Sequence, residues 1–153
     1  ISECQSFKSV PIESLILLPT GDGCCIGFMQ GPELPFLVAV ELHQKLAVYN
    51  KAKIPSETVR VRIGLHSGNC FLVDDLLGQR NTWGPGIIYC RRVMDFGDDG
   101  HILLSPSLAE DLRSLSDEYH AVIKPVHDVV LKHGTTMLLY SAYGEGFGNK
   151  TSD

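Results

Sequence analysis

Two short stretches of the sequence carry the residues best suited to chemistry. Residues 17–23 place the carboxylate of Asp22 between Gly21 and Gly23, at the tip of an expected hairpin. Residues 81–92 lead from a polar loop, through Trp83, into an expected helix. A carboxylate at such a turn either satisfies the amides of its own turn or helps to hold a divalent ion against a phosphorylated ligand. The flanking glycines would allow a ligand to approach the backbone closely.

The familiar catalytic motifs are missing. The sequence has no Walker-type G-x-x-x-x-G-K-[ST] and no complete dinucleotide fingerprint. It also lacks H-E-x-x-H, G-x-S-x-G and any Cys/His cluster with metal-ligand spacing. These absences argue against a P-loop nucleotidase, a Rossmann dehydrogenase, a zinc protease and an α/β-hydrolase.

The composition fits one soluble globular domain. The chain has 153 residues, of which 44% are hydrophobic and 20% charged, and no repeat or linker divides it. Its net charge of −5 argues against binding nucleic acid through a basic surface. No apolar run is long enough to span a bilayer, so we expect no direct membrane contact. The five cysteines are an odd number without a C-x-x-C pair, which favours reduced thiols and a cytoplasmic location.

Hydrophobic periodicity predicts the elements that position these stretches. Residues 14–19 and 24–29 read as a β-hairpin, and residues 35–50 as the longest helix. Residues 59–66 alternate like a half-buried strand, and the run at 70–73 suggests a second hairpin with them. Residues 78–84 read as a polar loop.

The second half of the chain alternates between helices and strands. We expect a helix over 85–96 closed by Gly97, a strand over 101–105, and a helix over 106–115 capped by Ser105. Residues 121–126, 129–131 and 137–143 suggest closing strands. The predicted class is α+β, a mostly antiparallel sheet covered by helices.

Four stretches in order, residues 17–23, 61–68, 81–92 and 100–105, resemble the catalytic domain of the class III nucleotidyl cyclases, the adenylate and guanylate cyclases. The similarity runs over about residues 14–143. It implies a ferredoxin-like sheet-and-helix domain that works as a head-to-tail homodimer with active sites at the interface. It also implies formation of a 3′,5′-cyclic nucleotide and pyrophosphate from ATP or GTP, in an intracellular signalling protein.

The resemblance assigns roles to several residues. Asp22 matches the second of two aspartates that hold Mg²⁺ or Mn²⁺, with Gly21 and Gly23 beside the substrate. Arg92 matches the arginine that stabilises charge on the transferring phosphate. The first metal-binding aspartate has no counterpart, because the family's first strand and helix do not fit into residues 1–13. Either the chain is a fragment of a longer protein or its metal site is incomplete.

The sequence departs from the family at the substrate contacts. Ile88 occupies the position of the asparagine that orients the ribose, and isoleucine cannot form a hydrogen bond. Leu18 stands where the family has a base-reading lysine. Asn81, two residues before Trp83, could still contact a purine edge. Lys132 lies near the place where some members carry a phosphate-binding lysine.

Less specific interpretations remain open beside these assignments. Arg92 could be a surface arginine like its neighbour Arg91, and Asn81 a turn residue. Trp83 is expected to be a core or interface anchor, and the cysteines other than Cys4 small core side chains. The leading prediction is a cyclase domain with an impaired site. The alternatives are a non-catalytic cyclase-fold module for dimerisation or nucleotide sensing, and an unrelated α+β domain with chance motifs.

Overall fold

The computed structural model describes residues 1–130 and 136–150, with the backbone alone for 127–130. The helices and strands follow in chain order: α1 (Gln5–Lys8), β1 (Leu15–Pro19), β2 (Cys24–Phe28), α2 (Glu33–Asn50), β3 (Ile63–Leu65), β4 (Phe71–Asp74), β5 (Arg80–Trp83), α3 (Pro85–Asp95), β6 (Ile102–Leu104), α4 (Pro106–Leu115), α5 (Asp117–Val122), β7 (Ile123–Val130) and β8 (Thr136–Ala142).

The central sheet has four strands in the order β3-β6-β8-β7. β3 pairs with β6 in parallel, and β8 pairs antiparallel with both β6 and β7. Two further sheets are antiparallel hairpins, β1–β2 and β4–β5. The predicted α+β class, with mostly antiparallel pairing, is confirmed.

The prediction of the second hairpin was wrong about which strands pair. β3 pairs with β6, whereas β4 pairs with β5, which lies within residues 78–84, where the sequence predicts a loop. A turn from Asp75 to Gln79 makes this possible, because the Asp75 carboxylate accepts the backbone N–H groups of Leu77 and Gln79 at 2.8 and 2.9 Å. Asp75 thereby satisfies the turn amides, and the polar residues that follow it continue as a strand.

The central sheet carries helices on both faces. On one face, α2 and α4 pack against β3, β6 and β8 through a cluster that includes Phe36, Leu65, Leu104 and Leu112. On the other face, Val93 of α3 packs with buried residues of β6 and β8. This sandwich fixes the position of α3, the helix that carries Arg92.

The predicted helices agree with the structure to within a few residues. Pro85 and Pro106 begin α3 and α4, as their fixed φ angles favour. Ser105 precedes α4, but its hydroxyl makes no cap bond and contacts His66 Nδ1 at 2.8 Å instead. The first closing strand begins later than expected, because the helix α5, capped by Ser116, occupies part of residues 121–126.

The start of the chain is held against α2. Both carboxylate oxygens of Glu41 accept hydrogen bonds from α1, and Cys4 is completely buried. Within the described residues, no helix combines the length and the apolar character needed to cross a bilayer.

Candidate functional site

A wide groove is lined by the β1–β2 hairpin, α2, residues 60–70 and α3. Its volume is about 1720 Å³. Asp22 and Arg92 both border this groove, so the structure brings together on one surface the two residues on which the sequence prediction depended most.

Asp22 lies in the turn between β1 and β2, with an exposed side chain. The turn is closed by the backbone N–H of Thr20, which donates to the carbonyl of Gly23 at 3.0 Å. Gly21 has a φ of +81°, which favours glycine there. Gly23 borders the groove beside Asp22, but Gly21 does not.

Arg92 lies in the last turn of α3 and is exposed. Its neighbour Arg91 donates through Nε to Asp95 at 3.1 Å. Arg92 forms no ion pair within the described part of the chain, so its guanidinium can meet a ligand. Ile88, one turn earlier, also borders the groove and is 55% exposed. The position that the resemblance assigns to ribose orientation therefore presents a hydrocarbon side chain to the groove.

The other predicted contacts lie elsewhere. Asn81 is half-buried in β5, does not border the groove, and its side-chain oxygen accepts the backbone N–H of Thr82 at 2.7 Å. Leu18, in β1, does not border the groove either. Lys132 lies outside the described residues.

The groove is lined by equal numbers of acidic and basic side chains, including several that the sequence prediction gave no role. Eight charged residues border it: Asp22, Arg60, Arg62, Arg91, Arg92, Asp98, Asp99 and Asp111. The four arginines and four aspartates cancel formally. The signal for Arg60 and Arg62 was present in the polar positions of residues 59–66, since alternate residues of an extended segment face the same side.

His66, which directly follows β3, also lines the groove. Its imidazole contacts the hydroxyl of Ser105 through Nδ1 and stacks on Tyr89, with ring centroids 4.6 Å apart. Burial lowers the pKa of His66, which favours the neutral ring near pH 7. Cys90 donates to the carbonyl of Gly64 at 3.2 Å, and burial raises the pKa of its thiol to about 12. These groups are therefore uncharged near neutral pH.

The described residues do not form a complete metal site. They contain no group of three or more His, Cys, Asp and Glu side chains placed to hold a metal ion. Asp22 supplies a single carboxylate. Mg²⁺ usually binds through one or two carboxylates together with phosphate oxygens and water, so a lone carboxylate such as Asp22 would need the oxygens of a bound phosphate to complete the coordination.

The β4–β5 hairpin presents apolar side chains to solvent. Trp83 is 72% exposed and lies opposite Phe71, which is 63% exposed. The alternative of a core position for Trp83 is therefore excluded.

Cys24 and Cys70 are also exposed, so the expectation that they are core side chains was wrong. Cys24 begins β2 and Cys70 directly precedes β4, and both residues line the groove.

Comparison with solved structures identifies the fold. An adenylate/guanylate cyclase/hydrolase from Silicibacter pomeroyi superposes with a TM-score of 0.68 at 17% identity, over 86% of this chain and 73% of the other. The guanylate cyclase domain of a protein from Catenaria anguillulae, in complex with GTP, gives 0.62 at 18% identity, over 84% and 72%. The catalytic core of a rhodopsin-guanylyl cyclase with converted specificity, in complex with ATPαS, gives 0.65 at 17% identity, over 84% and 71%.

Comparison of sequences points the same way. A receptor-type guanylate cyclase of Caenorhabditis elegans is 28% identical over 109 residues, which make up 70% of this chain and 10% of that protein. The chain thus spans about a tenth of the length of this relative. No protein-family model matches the sequence. The predicted resemblance is confirmed at the level of architecture: this chain has the fold of the class III adenylate and guanylate cyclase catalytic domains.

Proposed function

We propose that this chain is a cyclase-type domain of a cytoplasmic signalling protein that binds ATP or GTP, with Mg²⁺ or Mn²⁺, between two copies of itself. By itself it forms little or no 3′,5′-cyclic nucleotide. The observation that supports this proposal is the common groove of Asp22 and Arg92, one acidic and one basic side chain, both exposed on one surface of the protomer.

Pairing of two copies through this surface would bring Asp22 of one copy opposite Arg92 of the other. A triphosphate between them would meet the guanidinium directly and the carboxylate through a divalent ion. The exposed apolar hairpin β4–β5 supports association, since a surface with Trp83, Phe71, Leu76 and Leu77 uncovered is typical of an interface.

Two features support impaired turnover. Ile88 faces the groove where a ribose-orienting hydrogen bond is needed, and Asp22 is a lone carboxylate. Loss of one contact to the transition state can reduce the rate by about 10²–10³-fold, and two such losses would leave little activity.

A non-catalytic module for dimerisation or nucleotide sensing is the second candidate function. The exposed Ile88 favours it, because hydrocarbon at this position removes a contact to substrate without unfolding the domain. The two candidates differ in the role of metal: a degenerate cyclase needs the divalent ion to hold the triphosphate, whereas a sensor could bind without it.

Calorimetric titration with non-hydrolysable ATP and GTP, with and without Mn²⁺, tests the proposal. We expect metal-dependent binding that Asp22→Ala and Arg92→Ala both abolish. Arg91→Ala is the matched control, because Arg91 already pairs with Asp95 and its loss should leave binding within about twofold. Metal-independent binding, or no binding by a stable dimer, would favour the module.

Turnover is measured separately by incubating the domain with Mn²⁺ and ATP or GTP and assaying cyclic product. Trace or no product is expected. Robust turnover that Asp22→Ala abolishes would refute the impaired site.

A further inference from the structure

A cluster of basic side chains lies where α4, α5 and the start of β7 meet. Its members are Arg113 of α4, His120 of α5 and Lys124 of β7. None of the three borders the groove that carries Asp22 and Arg92. Because the chain as a whole has a net charge of −5, three basic groups side by side form a local exception to its acidic character.

Contacts with His120 hold the basic cluster together. Arg113 donates through Nη2 to Nε2 of the His120 imidazole at 2.7 Å, and the ammonium of Lys124 donates to the backbone carbonyl of His120 at 3.0 Å. The guanidinium of Arg113 also lies over the ring of Tyr140, 5.3 Å from its centroid. Tyr140 is buried in β8, so the guanidinium rests against a fixed part of the central sheet. The basic groups are therefore in place before any ligand arrives.

Each member of the basic cluster keeps a free donor. An arginine side chain only donates, so Nε2 of His120 accepts and the neutral ring carries its proton on Nδ1. Within the described residues, neither this N–H nor Nη1 of Arg113 makes a hydrogen bond. The ammonium of Lys124 has three N–H donors and uses one of them on His120. Donors from three elements can therefore meet one ligand that is rich in acceptors.

No carboxylate of the described residues pairs with the basic cluster. Arg113, His120 and Lys124 take part in none of the ion pairs found there. Glu110 and Asp117 stand three residues before Arg113 and His120, but neither forms an ion pair with them. Arg113 is half-buried, and its Nε is buried without a hydrogen-bond partner. Since burial of an uncompensated charge is unfavourable, an external anion would stabilise this arrangement.

The donors suit a phosphate group better than a carboxylate. A phosphate monoester offers three acceptor oxygens and close to two negative charges, whereas a carboxylate has two oxygens and one charge. Guanidinium and ammonium groups are those with which proteins usually bind phosphate. We infer that Arg113, His120 and Lys124 form a binding site for a phosphate monoester. A bound phosphate would join α4, α5 and β7 through one ligand.

The phosphate site is independent of the proposed nucleotide groove. Asp22 and Arg92 border the groove, whereas no member of the basic cluster does. Either site can therefore fail without the other.

Titration with phenyl phosphate at about pH 7.5, where a phosphate monoester is mostly a dianion, tests the site in the 153-residue chain. The ring resonances of His120 in NMR spectra report binding locally, and the variant His120→Gln identifies them. We expect a saturable shift with a Kd of about 1–10 mM, as suits an exposed site with few contacts. Inorganic phosphate should bind similarly, because the phosphate group is what the cluster recognises. Binding of phenyl phosphate without binding of inorganic phosphate would overturn the inference, since the aromatic ring would then be the recognised part.

Lys124→Gln and Lys51→Gln form a matched pair of variants. Each removes one positive charge, but Lys51 directly follows α2 and lies outside the basic cluster. Lys124→Gln should weaken the binding of phenyl phosphate by about 3- to 10-fold, whereas Lys51→Gln should change it by less than about twofold. Lys124 is chosen over Arg113 because replacing Arg113 would also remove its packing on Tyr140. Equal weakening in both variants would show that only the total charge matters and would overturn the site.

The choice of anion separates a phosphate site from general screening. Benzoate, which carries a carboxylate on the same ring, should bind at least about threefold more weakly than phenyl phosphate. Chloride at matched ionic strength should give no saturable shift of His120. Equal affinity for benzoate would overturn phosphate recognition, and an equal response to chloride would overturn the site itself. Arg92→Ala should leave the titration of His120 unchanged, and loss of the shift in that variant would place the binding in the groove instead.

Discussion

Ser6 donates two hydrogen bonds to the Oε2 atom of Glu41, from its hydroxyl at 2.7 Å and from its backbone N–H at 3.0 Å. The backbone N–H of Gln5 donates to the Oε1 atom at 2.6 Å. This carboxylate therefore joins α1 to the middle of α2. The bonds from Ser6 and Gln5 lower the pKa of Glu41 from its ordinary 4.5 to about 2.

Helix α1 should detach from α2 at acidic pH. Because the folded-state pKa of Glu41 is lowered, its stabilising effect is complete above pH 4.5 and is lost as the pH falls from 4.5 through about 2. Glu41→Gln should produce a similar loosening at neutral pH. Alkylation of the buried Cys4 reports this directly, and its rate should rise severalfold in the variant.

The control for this experiment is Lys45→Ala. Lys45 lies 3.8 Å from Glu41 and its side chain is exposed, so this pair contributes little and alkylation of Cys4 should stay close to that of the unmodified chain. If Cys4 is alkylated at the same rate in the Glu41→Gln and Lys45→Ala variants, the hydrogen bonds from α1 to Glu41 do not hold α1 in place.

A second pH effect should come from His43 in α2. Its side chain is 8% exposed, and Nδ1 accepts the backbone N–H of Gly148 at 3.2 Å, which a protonated ring cannot do. Burial lowers the pKa of His43 below 6.5. The contribution of His43 to the free energy of unfolding is therefore fully present above pH 6.5. It falls as the pH drops below 6.5, because the unfolded chain binds the proton more readily than the folded chain.

Chemical denaturation between about pH 7 and pH 5 measures this effect. His43→Asn keeps an acceptor near Gly148 but cannot titrate, so its unfolding free energy should depend less on pH than that of the unmodified chain. The slope that remains is expected from His66, whose pKa burial also lowers. Identical slopes in both proteins would contradict a titrating role for His43.

The local elements could be predicted because their signals are local. Pro85 and Gly97 bracket α3, and Pro106 begins α4, so sequence and structure agree closely there. The partners of β3 and β4 could not be predicted, because parallel pairing of β3 with β6 depends on residues nearly forty positions away. Local alternation shows that a strand forms but does not show which strand it meets.

The candidate site, like the fold, could be predicted only in part from the sequence. The motif matches predicted that Asp22 and Arg92 act at one site, and both residues border one groove. This agreement is expected, because motif residues keep corresponding places in proteins that share a fold. Asn81 also aligned with a motif, but its side-chain oxygen is engaged by the neighbouring Thr82 N–H, a contact that residue types do not reveal.

Close packing between β3 and α3 should make Gly64 sensitive to substitution. A Cβ atom at Gly64 would lie 2.6 Å from both the Cβ and the backbone N of Met94. Helix backbone cannot move aside cheaply, so Gly64→Ala should reduce the free energy of unfolding by about 1–3 kcal/mol, as measured by urea denaturation.

Gly27 of β2 is the matched control for Gly64. A Cβ atom there would lie 3.6 Å from Ile16, at ordinary contact distance. Gly27→Ala should therefore be neutral or stabilising by about 0.4–1 kcal/mol, through the lower entropy of the unfolded chain. Equal destabilisation by the two substitutions would show that α3 does not pack closely on β3.

Self-association should depend on the β4–β5 hairpin. Leu77 is 84% exposed at its turn, and Trp83, the one tryptophan of the chain, reports on this hairpin alone. We expect tryptophan emission to shift to shorter wavelength as the chain is concentrated. Leu77→Ser should weaken association by about tenfold in sedimentation experiments. Ile12→Ser, which changes an equally exposed side chain away from the hairpin, should have no effect.

Restoring an amide at position 88 should strengthen nucleotide binding. Ile88 is 55% exposed beside Arg92, so Ile88→Asn removes little buried surface and adds a donor and an acceptor to the groove. One new hydrogen bond contributes about 0.5–1.5 kcal/mol, which predicts roughly 2- to 10-fold tighter binding of non-hydrolysable ATP or GTP by calorimetry. Ile88→Ala, which shortens the side chain without adding a polar group, should leave affinity unchanged. If the asparagine and alanine variants bind alike, the ribose of a bound nucleotide does not lie against this turn of α3.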